Sequence, residues 1–482
     1  MGGIGQLHQH VTIRTIPDDV LLKIFKHFVD ALPSALHPYR FTSEKWRALV
    51  HVCRRWRNLA FTSPRHLNLQ LLYTHRRSVK QMLDIWPELP VYIYDDCNNP
   101  TKEATDSVVA ALRLNHRVSG IRLEYTPDSA WEIFALLMQQ PFPALTQLCI
   151  QSYGQIETAV SCSLLGGSAP RLRDLDLYGV PFPALPGLLL STTNLVRLRY
   201  DDIPTSGYIP PQAMVTGLSA LTRLESLSLT FHSPPSPPNR AIPIPPPHTC
   251  ALFPALTSLR FQCVPGYLEV IVAQIDAPLL QSIVITLFTQ EVLEVPELAK
   301  FICRTHKLSS TNRAEVTFKS EHITFTLSQT LWRVDPKTLK LNLTCCKPDL
   351  RLSYLAQFCG SCLPSPSLFE CLHILVPLQY TWHSGIYEPD PQWLELLRPF
   401  NAVKHLRLSQ EIAPFVADYL SSLPAERVTD VLPALEVVFI SRLEFFDPEY
   451  ISDFVDARQL SGHPVSIYDW KGEVYCDELW QL

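Results

Sequence analysis

Strong charge of either sign is missing from this chain. Only 18% of its 482 residues are Asp, Glu, Lys or Arg, and the formal net charge is −5 with a pI near 6.3. That balance offers no basic field for the phosphates of a nucleic acid. Also missing is any uninterrupted apolar run long enough to span a bilayer, so no membrane partner is expected. The start, Met1-Gly-Gly-Ile-Gly-Gln6, leads into His8 and His10 and not into an apolar run, so no secretory leader is expected. Gln6 stands where a myristoylation signal carries Ser or Thr. A paired cysteine framework is lacking as well. The 13 cysteines are odd in number and scattered, which fits reduced thiols inside a cell, in cytoplasm and/or nucleus. In that compartment the sequon Asn342-Leu-Thr344 has no role. No phosphate loop, His-Glu-x-x-His pair, Gly-x-Ser-x-Gly elbow or dinucleotide fingerprint occurs, which removes the commonest enzyme readings.

What is present is apolar substance and proline. The 46% hydrophobic content supports a large core, and the 42 prolines point to stiff turns and repeated strand starts more than to long helices. Near the start, Pro17 stands where a helix tolerates a missing N–H, and Asp18 and Asp19 place negative charge at the positive end of the helix dipole. Val20, Leu21, Ile24, Phe25 and Phe28 then recur at helical spacing. Trp46, Leu49, Val50, Cys53 and Ala60 predict a second helix. Two helices this apolar cannot bury their faces on each other alone, so a partner must cover them.

Residues 15–60 resemble an F-box. The matching positions are Ile16-Pro17, Asp19, Ile24-Phe25 and Val52-Cys53-x-x-Trp56-x-x-Leu59, about a tenth of the chain. The departure from the family is the segment between the helices, 30–43 with Pro33 and Pro38, which is longer than usual. The resemblance implies docking on the Skp-type adaptor of a cullin ubiquitin ligase, through Ile16, Pro17, Val20, Leu21, Ile24, Phe25, Val52, Cys53, Trp56 and Leu59. Some of these residues are expected to be internal to the helical pair.

Beyond the helices one phrase recurs, Pro-x-Leu-x-x-Φ-x-Φ with Φ apolar. It reads Pro143–Ile150, Pro170–Leu177, Pro254–Phe261, Pro278–Ile285 and Pro433–Ile440. Copies without the proline are Val118–Leu123, Leu195–Tyr200, Leu224–Leu229, Phe369–Ile374 and Val403–Leu408. Starts at 118, 145, 172, 195, 224, 256 and 280 are 23 to 32 residues apart, near the period of a leucine-rich repeat. The alternating end of the phrase predicts a short strand with one apolar face. Thr105–Asn115 and Asp128–Met138 read as helical returns, and Leu67-x-Leu69-x-Leu71 and Val91-x-Ile93 as earlier rungs. Pro183–Leu190 fits the phrase but follows too closely, so it belongs to a return. From 286 to 368 the regularity weakens; Glu315–Phe318 with His322–Leu327 reads as a hairpin and Leu339–Leu343 as another rung. The repeat resembles irregular leucine-rich repeats whose usual Asn is largely missing. With the F-box-like start and the phrases Met82–Pro87 and Leu460–Pro464, the whole is similar to the large F-box families of mushroom-forming fungi.

The expected fold class is therefore α/β. Residues 1–12 form a disordered N-terminus, 13–63 a helical F-box, and 64–470 a curved leucine-rich-repeat solenoid with a parallel sheet on its concave face and helices and loops outside. A proline-rich loop occupies 233–248 and a tail 471–482. On the concave face Asp174, Asp176 and Tyr178 should lie beside Arg197, Arg199 and Asp201. These could pair laterally as a charge ladder or serve as a partner-binding strip. Cys359-Gly-Ser-Cys362, with Cys345, Cys346, Cys371 and His373 near in sequence, is a residual redox or zinc candidate. Its flanks, Leu352, Leu355 and Phe358, read as helix packing around structural thiols. Pro235-x-x-Pro238-x-Arg240 resembles a ligand of proline-binding modules, though a passive loop is the plainer reading.

The function implied by resemblance is that of a non-catalytic, cofactor-free substrate adaptor, monomeric within a hetero-complex and holding an unknown target protein. Its competitors are a repeat scaffold with no ligase link and a thiol or metal protein centred on Cys359 and Cys362.

Overall fold

In the computed structural model the described residues are 13, 15–30, 46–64, 66–67, 69–74, 89–96, 102–125, 133, 136–137, 139–154, 164–234, 251–289, 293–305, 312–319, 322–328, 338–345, 351–362, 369–377, 392–441, 446–447 and 449–470. They form a mixed α/β structure in which sixteen strands are built into mostly parallel sheet. Among them no helix is long and apolar enough to cross a membrane.

The chain divides into two compact units. The first, Met1–Ile156 with Val160–Leu177, begins with helices α1 (Asp18–Asp30), α2 (Trp46–Val52) and α3 (Arg54–Thr62). Strands β1 (Leu71–Tyr73), β2 (Val91–Asp96), β3 (Val118–Tyr125), β4 (Gln147–Ser152) and β5 (Asp174–Tyr178) follow, side by side in chain order. Helix α4 (Lys102–Leu112) fills the return before β3, covering most of the expected helix there. Of the return at 128–138, Ile133, Leu136 and Leu137 are described, and Ile133 and Leu137 are buried. The first rung begins later than expected: Leu67 and Leu69 are buried, yet their N–H groups donate to Ser63 and Pro64 carbonyls in turns, and only Leu71–Tyr73 pairs with β2.

The second unit, Glu157–Ala159 with Tyr178–Leu482, carries helices α5 (Leu185–Leu189), α6 (Pro211–Leu218), α7 (Pro265–Val272), α8 (Pro296–Arg304), α9 (Arg351–Cys362), α10 (Gln392–Leu397), α11 (Ala413–Ser421) and α12 (Glu449–Leu460). Its sheet strands are β6 (Arg197–Ile203), β7 (Ser226–Phe231), β9 (Ser258–Cys263), β11 (Ser282–Thr289), β12 (Arg313–Phe318), β13 (His322–Ser328), β14 (Thr338–Cys345), β15 (Cys371–Leu375), β16 (His405–Leu408), β17 (Val437–Ser441) and β18 (Ser466–Trp470). Strands β8 (Ala251–Leu252) and β10 (Ile275–Asp276) form a separate parallel pair.

The recurring phrase has a direct physical meaning. Its leucine N–H closes a four-residue turn on the carbonyl three positions back: Leu145 to Phe142, Leu172 to Ala169, Leu256 to Phe253, Leu280 to Ala277 and Leu435 to Leu432. The proline is the second residue of each turn, where its fixed φ is already correct. The leucine is then buried, and the chain starts a strand. Carbonyls of the preceding rung receive two successive N–H groups at that point, as when Thr257 and Ser258 both donate to Glu225. Pro183 makes the same turn, Leu185 to Phe182, but it leads into α5, whose Pro186 occupies the first helical turn. Prolines also open α6, α7, α8 and α11.

Register then aligns the apolar positions into ladders. Leu198, Leu227, Leu259, Ile283 and Leu339 are successive partners, as are Tyr200, Leu229, Phe261, Ile285 and Leu341. All ten are essentially inaccessible. Tyr200 is the polar member; its hydroxyl donates to the Gly207 carbonyl at 3.2 Å and accepts the Phe182 N–H at 2.9 Å. Burial pushes its pKa well up.

Parallel stacking, the expectation outside the hairpin read at 315–327, is interrupted in that one place. Strand order runs β11-β14-β13-β12-β15, with β12–β13 and β13–β14 antiparallel. The hairpin read in the sequence is real, but it reverses the chain, so β14 lies beside β11 before the sheet resumes with β12 parallel to β15. Apolar alternation survives: Val316 faces Phe325, which faces Leu341, and Val316 also pairs with Ile374.

Candidate functional site

Helix α1 carries two apolar stripes one residue apart. Leu21, Phe25 and Val29 are buried, whereas Val20, Ile24 and Phe28 are 39%, 47% and 44% exposed. The i, i+4, i+8 spacing places each trio along one line of the helix. The buried stripe is held by contacts inside the helical segment. The Phe25 ring lies 4.7 Å from Trp56, centroid to centroid, and Arg55 donates to the Ile16 carbonyl at 2.5 Å and to Asp18 at 2.6 Å. Trp46 packs edge-on to Phe61 at 6.0 Å and donates its indole N–H to the Gln70 carbonyl at 3.0 Å.

The second helix is not continuous. It breaks at Cys53, which takes extended backbone angles before α3 and is exposed, not on the buried face. The Cys53 carbonyl accepts the Arg57 N–H, while the Arg57 guanidinium donates back to the Val50 carbonyl at 2.9 Å, satisfying both sides of the break. The break leaves Val52 57% exposed.

Ten residues were expected to dock a partner. Leu21 and Phe25 turn inward, Ile16, Trp56 and Leu59 are half-buried, and Pro17, Val20, Ile24, Val52 and Cys53 are exposed. Phe28 and Ile13 add to the exposed set. Five of the thirteen large exposed hydrophobics among the described residues thus lie before residue 53, against a background of isolated ones elsewhere.

The polar strip divides between the units. Asp174 and Asp176 are half-buried in the first, alternating with buried Leu175 and Leu177, and Asp174 accepts a 3.4 Å hydrogen bond from Gln147. In the second, Arg197 and Arg199 are exposed and Tyr178 is 37% exposed. Asp201 is tied down by Ser228 at 2.6 Å, Thr230 at 3.1 Å and Arg199 at 3.5 Å. Asp202, in a bulge with φ +55, pairs with His232 at 2.7 Å. Burial and then the neighbouring Asp202 and Asp201 raise the Tyr178 pKa, and its side chain hydrogen-bonds Asp202. The bulge interrupts the register at Asp201 and Asp202, which alternation alone does not reveal.

Cys359 is buried on α9, beside buried Leu355 and Phe358. The side chains of Cys345 and Cys362, and Cys346 altogether, lie outside what is described, as do Pro235–Arg240 and Met82–Pro87. Cys371 and His373 stand on β15, with Cys371 3.6 Å from His405 Nδ1. Among the described residues no three His, Cys, Asp or Glu side chains gather as a metal site.

Two groups, half-buried Glu269 and buried Arg458, escaped sequence reasoning. Glu269 of α7 accepts the Glu297 and Leu298 N–H groups at 2.7 and 2.8 Å, capping α8 from the preceding repeat. Arg458 of α12 is fully buried and donates to the Leu435 carbonyl at 3.0 Å. Comparison with known proteins finds no matching family model. No curated protein matches the sequence either.

Proposed function

We propose that this protein is a non-catalytic substrate adaptor of a cullin-type ubiquitin ligase, with α1–α3 as an F-box and the stacked strands as an irregular leucine-rich-repeat solenoid. The observation that carries this reading is the exposed stripe Val20, Ile24 and Phe28, with Val52, on helices whose buried stripe is already satisfied. A helix that keeps a second apolar line outside its own core needs a partner to cover it. The motif residues Ile16-Pro17, Ile24-Phe25 and Trp56-x-x-Leu59 supply the partner's chemistry by resemblance, that of a Skp-type adaptor. Phe25 and Trp56 then act as the internal brace, and Pro17, Val20, Ile24, Val52 and Cys53 as the contact surface.

The mechanism is proximity. The helices dock the adaptor, the repeat surface holds a target protein, and another subunit performs the transfer, so raised local concentration replaces a catalytic group. Co-expression with a Skp-type adaptor tests it: the wild-type chain should co-purify and the double variant Pro17→Ala, Ile24→Asp should not. A folded wild-type chain that ignores the adaptor would leave a scaffold without a ligase link.

A further inference from the structure

The face of β12 and β15–β18 opposite the apolar ladder has an unusual composition. Strand register sets Arg313, Cys371, His405, Val437 and Ser466 in one row and Glu315, His373, Arg407, Phe439 and Tyr468 in the next. The Arg407 guanidinium carbon lies 5.2 Å from the centre of the Phe439 ring and 5.5 Å from that of Trp470. Aromatic faces attract a guanidinium, but they do not neutralise it. Among the described residues no carboxylate lies within ion-pair distance of Arg407 or Arg313. Glu315, on the same face, accepts a hydrogen bond from Thr317 at 3.2 Å, and Glu370 pairs with Lys404 at 3.2 Å.

Beside this cation, on the adjacent strand, sits His373, 2% exposed, its ring 5.9 Å from Trp470. Its Nε2 and the Arg407 Nε are both buried without a hydrogen-bond partner. Desolvation, then the Arg407 and Arg313 charges, hold the imidazole neutral, with its pKa lowered to about 3. Desolvation likewise lowers Arg407. Half-buried guanidinium charge without a carboxylate partner is costly, and an incoming anion would offset that cost. Arg, Tyr and Trp are also the residue types that anchor protein interfaces. Tyr468 is 53% exposed on this face.

We propose that the polar face of β15–β18 receives a carboxylate side chain of an acidic peptide segment, held by the Arg407 and Arg313 guanidiniums between the rings of Phe439, Tyr468 and Trp470. The charge complementarity of the face selects this occupant over a basic or purely apolar one. Recognition here is independent of whether α1–α3 dock an adaptor; a scaffold would use the face in the same way.

The test uses the full chain and two fluorescein-labelled decapeptides, one Glu-rich and one with every Glu replaced by Gln, read by anisotropy. The acidic peptide should bind, its amide twin should bind at least about tenfold more weakly, and Arg407→Gln should lose about tenfold for the acidic peptide, the value of a charge-assisted hydrogen bond. Arg313→Gln should lose about threefold, and Arg199→Gln should lose nothing. Should Arg407→Gln fail to fold, Arg407→Lys keeps the charge without the planar fork and should show a partial loss. Equal binding of the two peptides, or acidic-peptide binding untouched by the Arg407 and Arg313 variants, would overturn the proposal.

Discussion

The N-terminal helices and the repeat strands handle apolar side chains in opposite ways. In the strands before β18 alternate positions are drawn inside, and register stacks the buried residues into ladders such as Leu198, Leu227, Leu259, Ile283 and Leu339. In α1 one apolar line is buried and its neighbour, Val20, Ile24 and Phe28, stays outside. A strand buries one face on a one-sided core, and its other face here carries mixed residues such as Arg407, Phe439 and Tyr468, not a continuous apolar line. A helix of period 3.6 can carry two lines side by side and offer the second to a partner. Surplus hydrophobicity at helical period is therefore informative about binding in a way that the larger hydrophobic content of the strands is not.

Substitutions test that contrast directly. The largest effect is expected inside a ladder. Phe261→Ala should cost about 3–5 kcal/mol in denaturant unfolding, whereas Ile24→Ala should stay within about 0.5 kcal/mol. Similar costs at both sites would make the exposed stripe part of a core. Next, Tyr200→Phe should cost about 1–3 kcal/mol, because the Phe182 N–H and the Gly207 carbonyl both lose a buried partner.

A smaller effect concerns acid. The folded pKa of His373 is depressed to about 3, so below its ordinary value near 6.5 the unfolded chain takes up a proton that the folded chain refuses. Its contribution to stability is thus intact above pH 6.5 and falls as the pH drops from there toward 3. Between pH 6.5 and 5.5 wild type should lose about 1 kcal/mol more than His373→Leu, seen as a steeper fall in Tm. Parallel pH profiles would remove the buried neutral imidazole from the account. Smallest is Arg55→Ala. Its partner Asp18 is 60% exposed, so solvent screening should limit the lost ion pair to about 1 kcal/mol or less by unfolding, and a larger cost would mean the carbonyl contact to Ile16 dominates.

These sites also mark what could be read from residues alone. The Pro-x-Leu phrase was legible because one local turn and one alternating strand write themselves into eight consecutive positions. The hairpin of β12 and β13 was legible as a hairpin, but its reversed place between β14 and β15 was not, since alternation is the same for parallel and antiparallel pairing. The break at Cys53 was hidden by an apolar spacing that runs smoothly through it. His373 occupies an outward position of its strand and is buried by Trp470 and Arg407 from later strands. Glu269 and Arg458 serve backbone groups of neighbouring repeats, a relation that no local pattern records.

The central claim, that α1 presents a spare apolar line to an adaptor, meets its most direct test in Ile24→Asp alone, assayed by co-purification with a Skp-type adaptor and by thermal unfolding. The account predicts an unchanged Tm and lost co-purification. Retained co-purification by a folded Ile24→Asp chain would contradict it.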